Sequence, residues 1–376
     1  MDPAEILPTH IFENILSYFN TKEIKNMVSV NKLWYQVITS SCIWDKNIVF
    51  AVRNDWICDE EDVNYLIQCG KKRNFHSILL SDCTDMYDLV LDVITTKKRC
   101  YITNVSIFDM KFESIEKFEI FMKSFETTIK KLVFHRVEIK NVNDSKIIEF
   151  NMENLQNLKI SHCSPKIYLS FLQKAPKLTS LTCDFGIEFN NELRKILKNA
   201  SNLKKLSINT QLLCALVDET FTETKFQLKE LNVNFSEFKI SSEILQYIEN
   251  FLESQLDLEK IYLSDWLSFS ILNFVLSMKK LKELSLSSLP LFTWEFVNFT
   301  CNNSIEIFDI KTFQYDDFCD DVRKLLAAVP NVKHLKLRSL NNEIADFIAQ
   351  NLKEIKSISL IHPTCKRENL SHVIFD

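Results

Sequence analysis

Asn202–Asn209 reads NLKKLSIN, and Asn154–Ser161 reads NLQNLKIS. Both stretches carry apolar residues in the order Φ-x-x-Φ-x-Φ: Leu203, Leu206 and Ile208 in one, Leu155, Leu158 and Ile160 in the other. The last two apolar positions alternate with polar ones, the period of a strand that buries one face. The same pattern returns along the chain, opening at Phe75, Ile102, Ile129, Leu155, Leu178, Leu203, Leu228, Leu258, Leu281, Ile305, Val332 and Ile355. From the first opening to the last, the mean spacing of these twelve units is about 25 residues.

Between strands the apolar period lengthens from 2 to 3.6. Ile244, Leu245, Ile248, Phe251 and Leu252 fit one helix face, and Phe318, Val322, Leu325, Leu326 and Val329 fit another. A strand-plus-helix unit of this period and this apolar core is a leucine-rich repeat. The expected fold is therefore an α/β leucine-rich-repeat solenoid of about twelve repeats over 75–376, each unit burying its apolar face against its neighbours, with the strands lining a concave wall. The position three after the last apolar residue is Cys83 and Cys163 in two units but varies elsewhere, so irregular turns are expected. After Leu360 no further repeat follows. Val373, Ile374 and Phe375 suit a cap over the last repeat, and the alternative is a tail that bends into the concave space.

Upstream of the array, Leu7–Trp44 reads LPTHIFENILSYFNTKEIKNMVSVNKLWYQVITSSCIW. Pro8 suits a first helical position. Ile11, Phe12, Ile15, Leu16 and Phe19 follow at helical spacing. Thr21 is placed to cap a second helix with Ile24, Met27 and Val28, and Asn31 a third with Trp34, Val37 and Ile38. About half of this segment is apolar, too much for so short a unit to bury alone, which implies a partner.

The order LP-x-x-I-F-x-x-I-L-x-x-F, then V-S-V-N-K-x-W and a final Ile-Trp, resembles an F-box over roughly 6–50. Leu7, Pro8, Ile11, Ile15, Leu16, Val28, Val30, Lys32, Trp34 and Trp44 stand where that family keeps those types. Asn31 departs from the Cys that many members carry. The resemblance implies docking on the Skp-type adaptor of cullin-based SCF ubiquitin ligases through Leu7, Pro8, Ile11, Phe12, Ile15, Leu16, Val28, Val30, Leu33, Trp34 and Trp44. Taken with the array, the chain resembles F-box/leucine-rich-repeat proteins, whose repeats hold a protein substrate. That implies a non-catalytic substrate receptor, joined through the adaptor to a cullin and a RING subunit. A repeat scaffold without a ubiquitination role is the alternative. The expected organisation is an F-box at 1–50, a helical joint at 51–74 and the solenoid from 75 to 376. In the joint, Asp59–Asp62 suits a helix start and Lys71–Arg73 a helix end.

The chain has 376 residues, 46% apolar and 25% charged, with a net charge of −5, so no basic footprint for nucleic acid is present. Its N-terminus is acidic, not a signal peptide, and no stretch suits a membrane span. Eleven scattered cysteines without a C-x-x-C pair suit a reducing compartment, hence cytoplasm or nucleus. Two glycines, Gly70 and Gly186, are too few and too far apart for a phosphate-cradling loop. No H-E-x-x-H occurs among the seven histidines. His162-Cys163 is adjacent, but Cys163 sits at the repeat's own packing position. Asp316, Asp317, Asp320 and Asp321 suit a helix start better than a cation site. No cofactor, metal or catalytic residue is expected. On the concave face, Lys311, Lys336 and Arg338 form a basic patch, with Tyr262 and Trp266 nearer the middle, suited to an acidic or phosphorylated motif.

Overall fold

The computed structural model describes residues 8–40, 49–53, 75–140, 150–184, 200–217, 225–234, 242–264, 269–287, 298–311, 319–338 and 340–360. Excepted within these are 17, 20, 85–86, 96–101, 164–166, 168–170 and 173, while Glu61, Gln68 and Leu197 are described in isolation. The chain forms two compact units, Met1–Lys177 and Leu178–Asp376.

The first unit opens with three helices, α1 (Thr9–Leu16), α2 (Thr21–Val28) and α3 (Lys32–Ser40). Strands β1 (Val49–Arg53) and β2 (Ser77–Ser81) follow, then α4 (Tyr87–Thr95), β3 (Asn104–Phe108) and β4 (Lys111–Phe112). The unit continues with α5 (Ile115–Lys123), β5 (Lys131–His135), β6 (Glu138–Ile139) and β7 (Asn157–Ser161). Strands β1, β2, β3, β5 and β7 pair in that order, all parallel. Short β4 and β6 make a second parallel ladder.

Inward residues alternate along every strand. Ile78 and Leu80, Val105 and Ile107, Leu132 and Phe134, and Leu158 and Ile160 are all buried. Behind them lies an aromatic core. Phe118 on α5 meets Phe112, Phe134, Phe150 and Phe171 with ring centroids 4.9 to 6.1 Å apart, and Phe150 stacks on Phe171 at 5.2 Å. Each such pair adds about 0.5–1.5 kcal/mol to the burial itself. Ser114 caps α5, its Oγ accepting the Lys117 N–H.

The corner after each of four strands is regular, against the expectation of irregular turns. Asp82, Asp109, Arg136 and His162 all sit at φ of 50–54°. Glycine normally takes this left-handed region, and a side chain there costs on the order of 1 kcal/mol. The conformation aims the N–H groups of Asp82, Asp109 and Arg136 at the carbonyls of Phe108, His135 and Ser161 in the next repeat. It also turns the following residue inward: Cys83, Met110 and Val137 are buried.

The second unit runs β8 (Ser180–Asp184), β9 (Lys205–Asn209), α6 (Thr210–Leu216), β10 (Glu230–Asn234), α7 (Ser242–Ser254) and β11 (Lys260–Ser264). It continues with α8 (Phe269–Ser277), β12 (Glu283–Leu286), β13 (Ile307–Ile310), α9 (Cys319–Ala327), β14 (His334–Leu337), α10 (Asn342–Asn351) and β15 (Ser357–Leu360). Its eight strands pair in chain order, all parallel. At the entry to each strand from β9, two successive N–H groups share one carbonyl of the preceding repeat, as Lys229 and Glu230 do with Lys204. Asn209 and Asn341 cap α6 and α10. On α9, Val322, Leu325 and Leu326 are fully buried, as their spacing predicts.

All twelve predicted strands are present, in a leucine-rich-repeat solenoid fold. A thirteenth, β1, precedes them. It begins before the expected joint at 51–74, and Ala51–Arg53 is strand rather than helix. Phe50 and Val52 are its inward pair, and Phe50 stacks on Phe75 at 5.0 Å. Apart from these three residues, Glu61 and Gln68, the joint lies outside the described residues, as does the tail after Leu360.

Candidate functional sites: the N-terminal helices and the open face of the sheet

In the N-terminal helices, Pro8 starts α1 by offering its carbonyl to the N–H groups of Ile11 and Phe12, at 2.9 and 3.1 Å. Asn31 caps α3 as its sequence position predicts, with Oδ1 accepting the Trp34 N–H at 2.9 Å. Phe12, Leu16, Ile24 and Ile38 are buried together, with Phe19, Met27, Trp34 and Val37 packed around them. Trp34 meets Phe12 edge to face at 5.0 Å. Among the described residues, this core draws on the three helices.

The opposite side of α1 is apolar as well. Ile11 is 38% exposed, Ile15 42% and Tyr18 89%. With Pro8, also exposed, they follow at steps of 3, 4 and 3, one stripe along a helix. Val30 and Tyr35 are exposed at either side of the α3 start.

The open face of the array is the side of each strand away from the core. In the second unit, its first row alternates in sign along β9 to β12. Lys205 pairs with Glu230 at 2.5 Å, and Lys260 with Glu283 at 2.7 Å. Tyr262 donates its hydroxyl proton to Glu283 at 2.8 Å. Burial works against ionisation of Glu283, but hydrogen bonds from Lys260 and Tyr262 outweigh it and hold the carboxyl below its ordinary value. Burial, then Glu283, pushes the Tyr262 phenol up. On the next two strands, Ser285 donates to Asp309 at 3.3 Å, and Lys311 lies 3.9 Å from the same carboxylate.

In the first unit, His135 Nδ1 and Ser161 Oγ are 2.8 Å apart. Burial, then the charge of Arg136, lowers the His135 pKa. Burial pushes the Cys83 and Cys163 thiols up to about 11. Cys163 accepts the Val137 N–H and donates to the Ser161 carbonyl. Among the described residues, no three His, Cys, Asp or Glu are placed to hold a metal ion. Likewise among them, no helix is long and apolar enough to cross a membrane. Of the acidic cluster, Asp320 pairs with Arg323 and Asp321 is buried at the start of α9, while Asp316 and Asp317 lie outside the described residues.

Residues 5–46 match the family model of the F-box domain. This segment is an F-box domain. No curated protein matches the chain. Among solved structures, the crystal structure of a TLR13–ssRNA13 complex aligns over 78% of this chain and 46% of that one, at 16% identity and a TM-score of 0.39. The chain thus spans less than half the length of that neighbour. A Leptospira interrogans LRR protein aligns over 80% of this chain and 81% of its own, at 14% identity and a TM-score of 0.28. Neither superposition is close, and the fold assignment rests on the sheet order of the chain itself.

Within the F-box, the expected docking residues separate into two sets. Pro8, Ile11, Ile15 and Val30 are exposed, and Leu33 is half-buried. Phe12 and Leu16, at 3% and 1% exposed, are core residues of these helices. Trp34 is half-buried against Phe12. Leu7 and Trp44 lie outside the described residues, as does the side chain of Val28. Tyr18 and Tyr35 stand outside the motif; the 3-4-3 spacing of Pro8, Ile11, Ile15 and Tyr18 is a signal for Tyr18, and no comparable spacing marks Tyr35. On the array, Lys311 and Lys336 are exposed, Arg338 and Tyr262 half-buried, and Trp266 lies outside the described residues. The patch is less basic than its cations imply, because Asp309 lies among them.

Proposed function

We propose that this chain is the substrate-recognition subunit of a cullin-based SCF ubiquitin ligase. The observation that carries the reading is the exposed stripe Pro8, Ile11, Ile15 and Tyr18 on an F-box whose buried cluster of Phe12, Leu16, Ile24 and Ile38 does not include it. An apolar stripe beside a filled core gains by meeting a partner rather than by folding further. F-box domains bind Skp-type adaptors, and the adaptor links to a cullin and a RING subunit. The repeat array holds a protein substrate on its open face. The chain itself is non-catalytic: by holding the substrate near a ubiquitin-charged conjugating enzyme it raises effective concentration, and it supplies no nucleophile.

Co-purification tests this. The full chain, expressed with a Skp-type adaptor, retains it through gel filtration, and the double substitution Ile11→Asp, Ile15→Asp releases it. A wild-type chain that elutes without adaptor sinks the proposal.

A further inference from the structure

The open face of the second unit changes character between β12 and β13. Over β9 to β12 the cations are spent on neighbours, since Lys205 and Lys260 each hold a glutamate on the next strand. At β13 and β14 the first row becomes Ile307 and His334, and charge moves to Asp309, Lys311, Lys336 and Arg338. Asp309 is the register partner of Lys336. Lys336 and Arg338 form no ion pair among the described residues.

Asp309 is 9% exposed, and its Oδ1 has no hydrogen-bond partner. Its Oδ2 takes the Ser285 hydroxyl and faces Lys311. A buried carboxylate oxygen left unmet is costly. One small region therefore holds a buried carboxylate beside two cations that form no close ion pair among the described residues, Lys336 acting on Glu283 only through its charge.

We propose that β13 and β14 seat an extended acidic peptide segment of the substrate, carboxylate side chains on Lys336 and Arg338. The inference rests on the reading that the array holds the substrate. In an extended peptide alternate side chains share a face, which is also the spacing of Lys336 and Arg338 along their own chain. The charge-assisted bonds fix its register. A phosphate fits less well, because a compact dianion brought between these cations meets the charge of the Asp309 carboxylate. Carboxylates spread along a chain reach the cations one at a time and concentrate less charge beside Asp309.

The test is selection from a synthetic peptide library with Asp, Glu, phosphoserine, Lys and neutral residues at each randomised position. The bait is the full chain co-expressed with the Skp-type adaptor. The wild type enriches Asp and Glu at alternate positions, by about tenfold for two surface pairs. Lys336→Glu with Arg338→Glu loses that enrichment, and Asp309→Asn shifts selection toward phosphoserine. No acidic enrichment, unchanged enrichment in the double variant, or a wild-type preference for phosphoserine over glutamate overturns the proposal. Adaptor retention is scored on every sample. If adaptor is retained but acidic peptides are not selected, only this inference fails; if adaptor is lost from the wild type, the underlying reading fails.

Discussion

The F-box helices bury Phe12, Leu16, Ile24 and Ile38 and leave Pro8, Ile11, Ile15, Tyr18 and Val30 in solvent. The repeats of the same unit bury Phe112, Phe118, Phe121, Phe125, Phe134, Phe150 and Phe171 completely and expose few large apolar side chains, Ile120 among them. The two regions have similar apolar content but place it differently. A repeat finds its apolar partner in the next repeat, so each added unit covers the last. Three short helices have no such neighbour within their own core. Their second apolar face is consequently available to another molecule, whereas the array presents charged and polar side chains such as Lys205, Glu230, Lys260 and Glu283 on its open face. On the proposed reading, the helices supply the attachment to the adaptor.

Substitutions can break that contrast. Phe118→Ala opens a cavity among four aromatic rings and costs about 3–5 kcal/mol, read as a lower denaturant midpoint of the array. Leu16→Ala costs about 2–5 kcal/mol in the helices. Its loss is confined there: exchange at α1 to α3 accelerates while the strands keep their protection. If Leu16→Ala loosens the strands equally, the two regions are one folding unit. Ile11→Asp with Ile15→Asp moves thermal stability by less than about 0.5 kcal/mol, since both are surface positions, although adaptor binding falls by about 2 kcal/mol or more.

The smallest effect is a pH dependence on the open face. The Glu283 carboxyl is held below its ordinary 4.5 in the fold. Its contribution is therefore complete above that value and is lost as pH falls through the lower, folded one. Glu283→Gln flattens the fall in stability below pH 4.5, in urea titrations of the full chain. A variant as pH-sensitive as the wild type there shows that Lys260 and Tyr262 do not act through Glu283.

The strand array was legible because a parallel ladder demands alternation at fixed intervals, and the chain supplies it twelve times. β1 escaped for a physical reason. Phe50 and Val52 are its inward pair, but the position three before Phe50 is Asn47, so the leading apolar residue is missing. The β4–β6 ladder is two residues long, too short for any period to register, and is braced by Lys111 and Glu138 at 3.0 Å. The left-handed corners were hidden because Asp, Asp, Arg and His occupy places where glycine would have announced them. In the F-box, helical spacing found the apolar residues of α1. It did not separate Phe12 and Leu16 from Ile11 and Ile15, because both sides of that helix are apolar and only packing against α2 and α3 decides which is covered. The cations alone suggest a basic patch, but Asp309, two residues before Lys311, lies 3.9 Å from its ammonium and offsets part of that charge.

Hydrogen–deuterium exchange of the full chain, with and without a saturating Skp-type adaptor, tests the central contrast most directly. The free chain should exchange fast over residues 8–38 and slowly at the strands from β2 to β15. Adaptor should slow exchange over 8–38, most strongly on α1, and leave the strands unchanged. Slow exchange over 8–38 in the free chain, or adaptor protection that falls on the strands instead, would contradict the account.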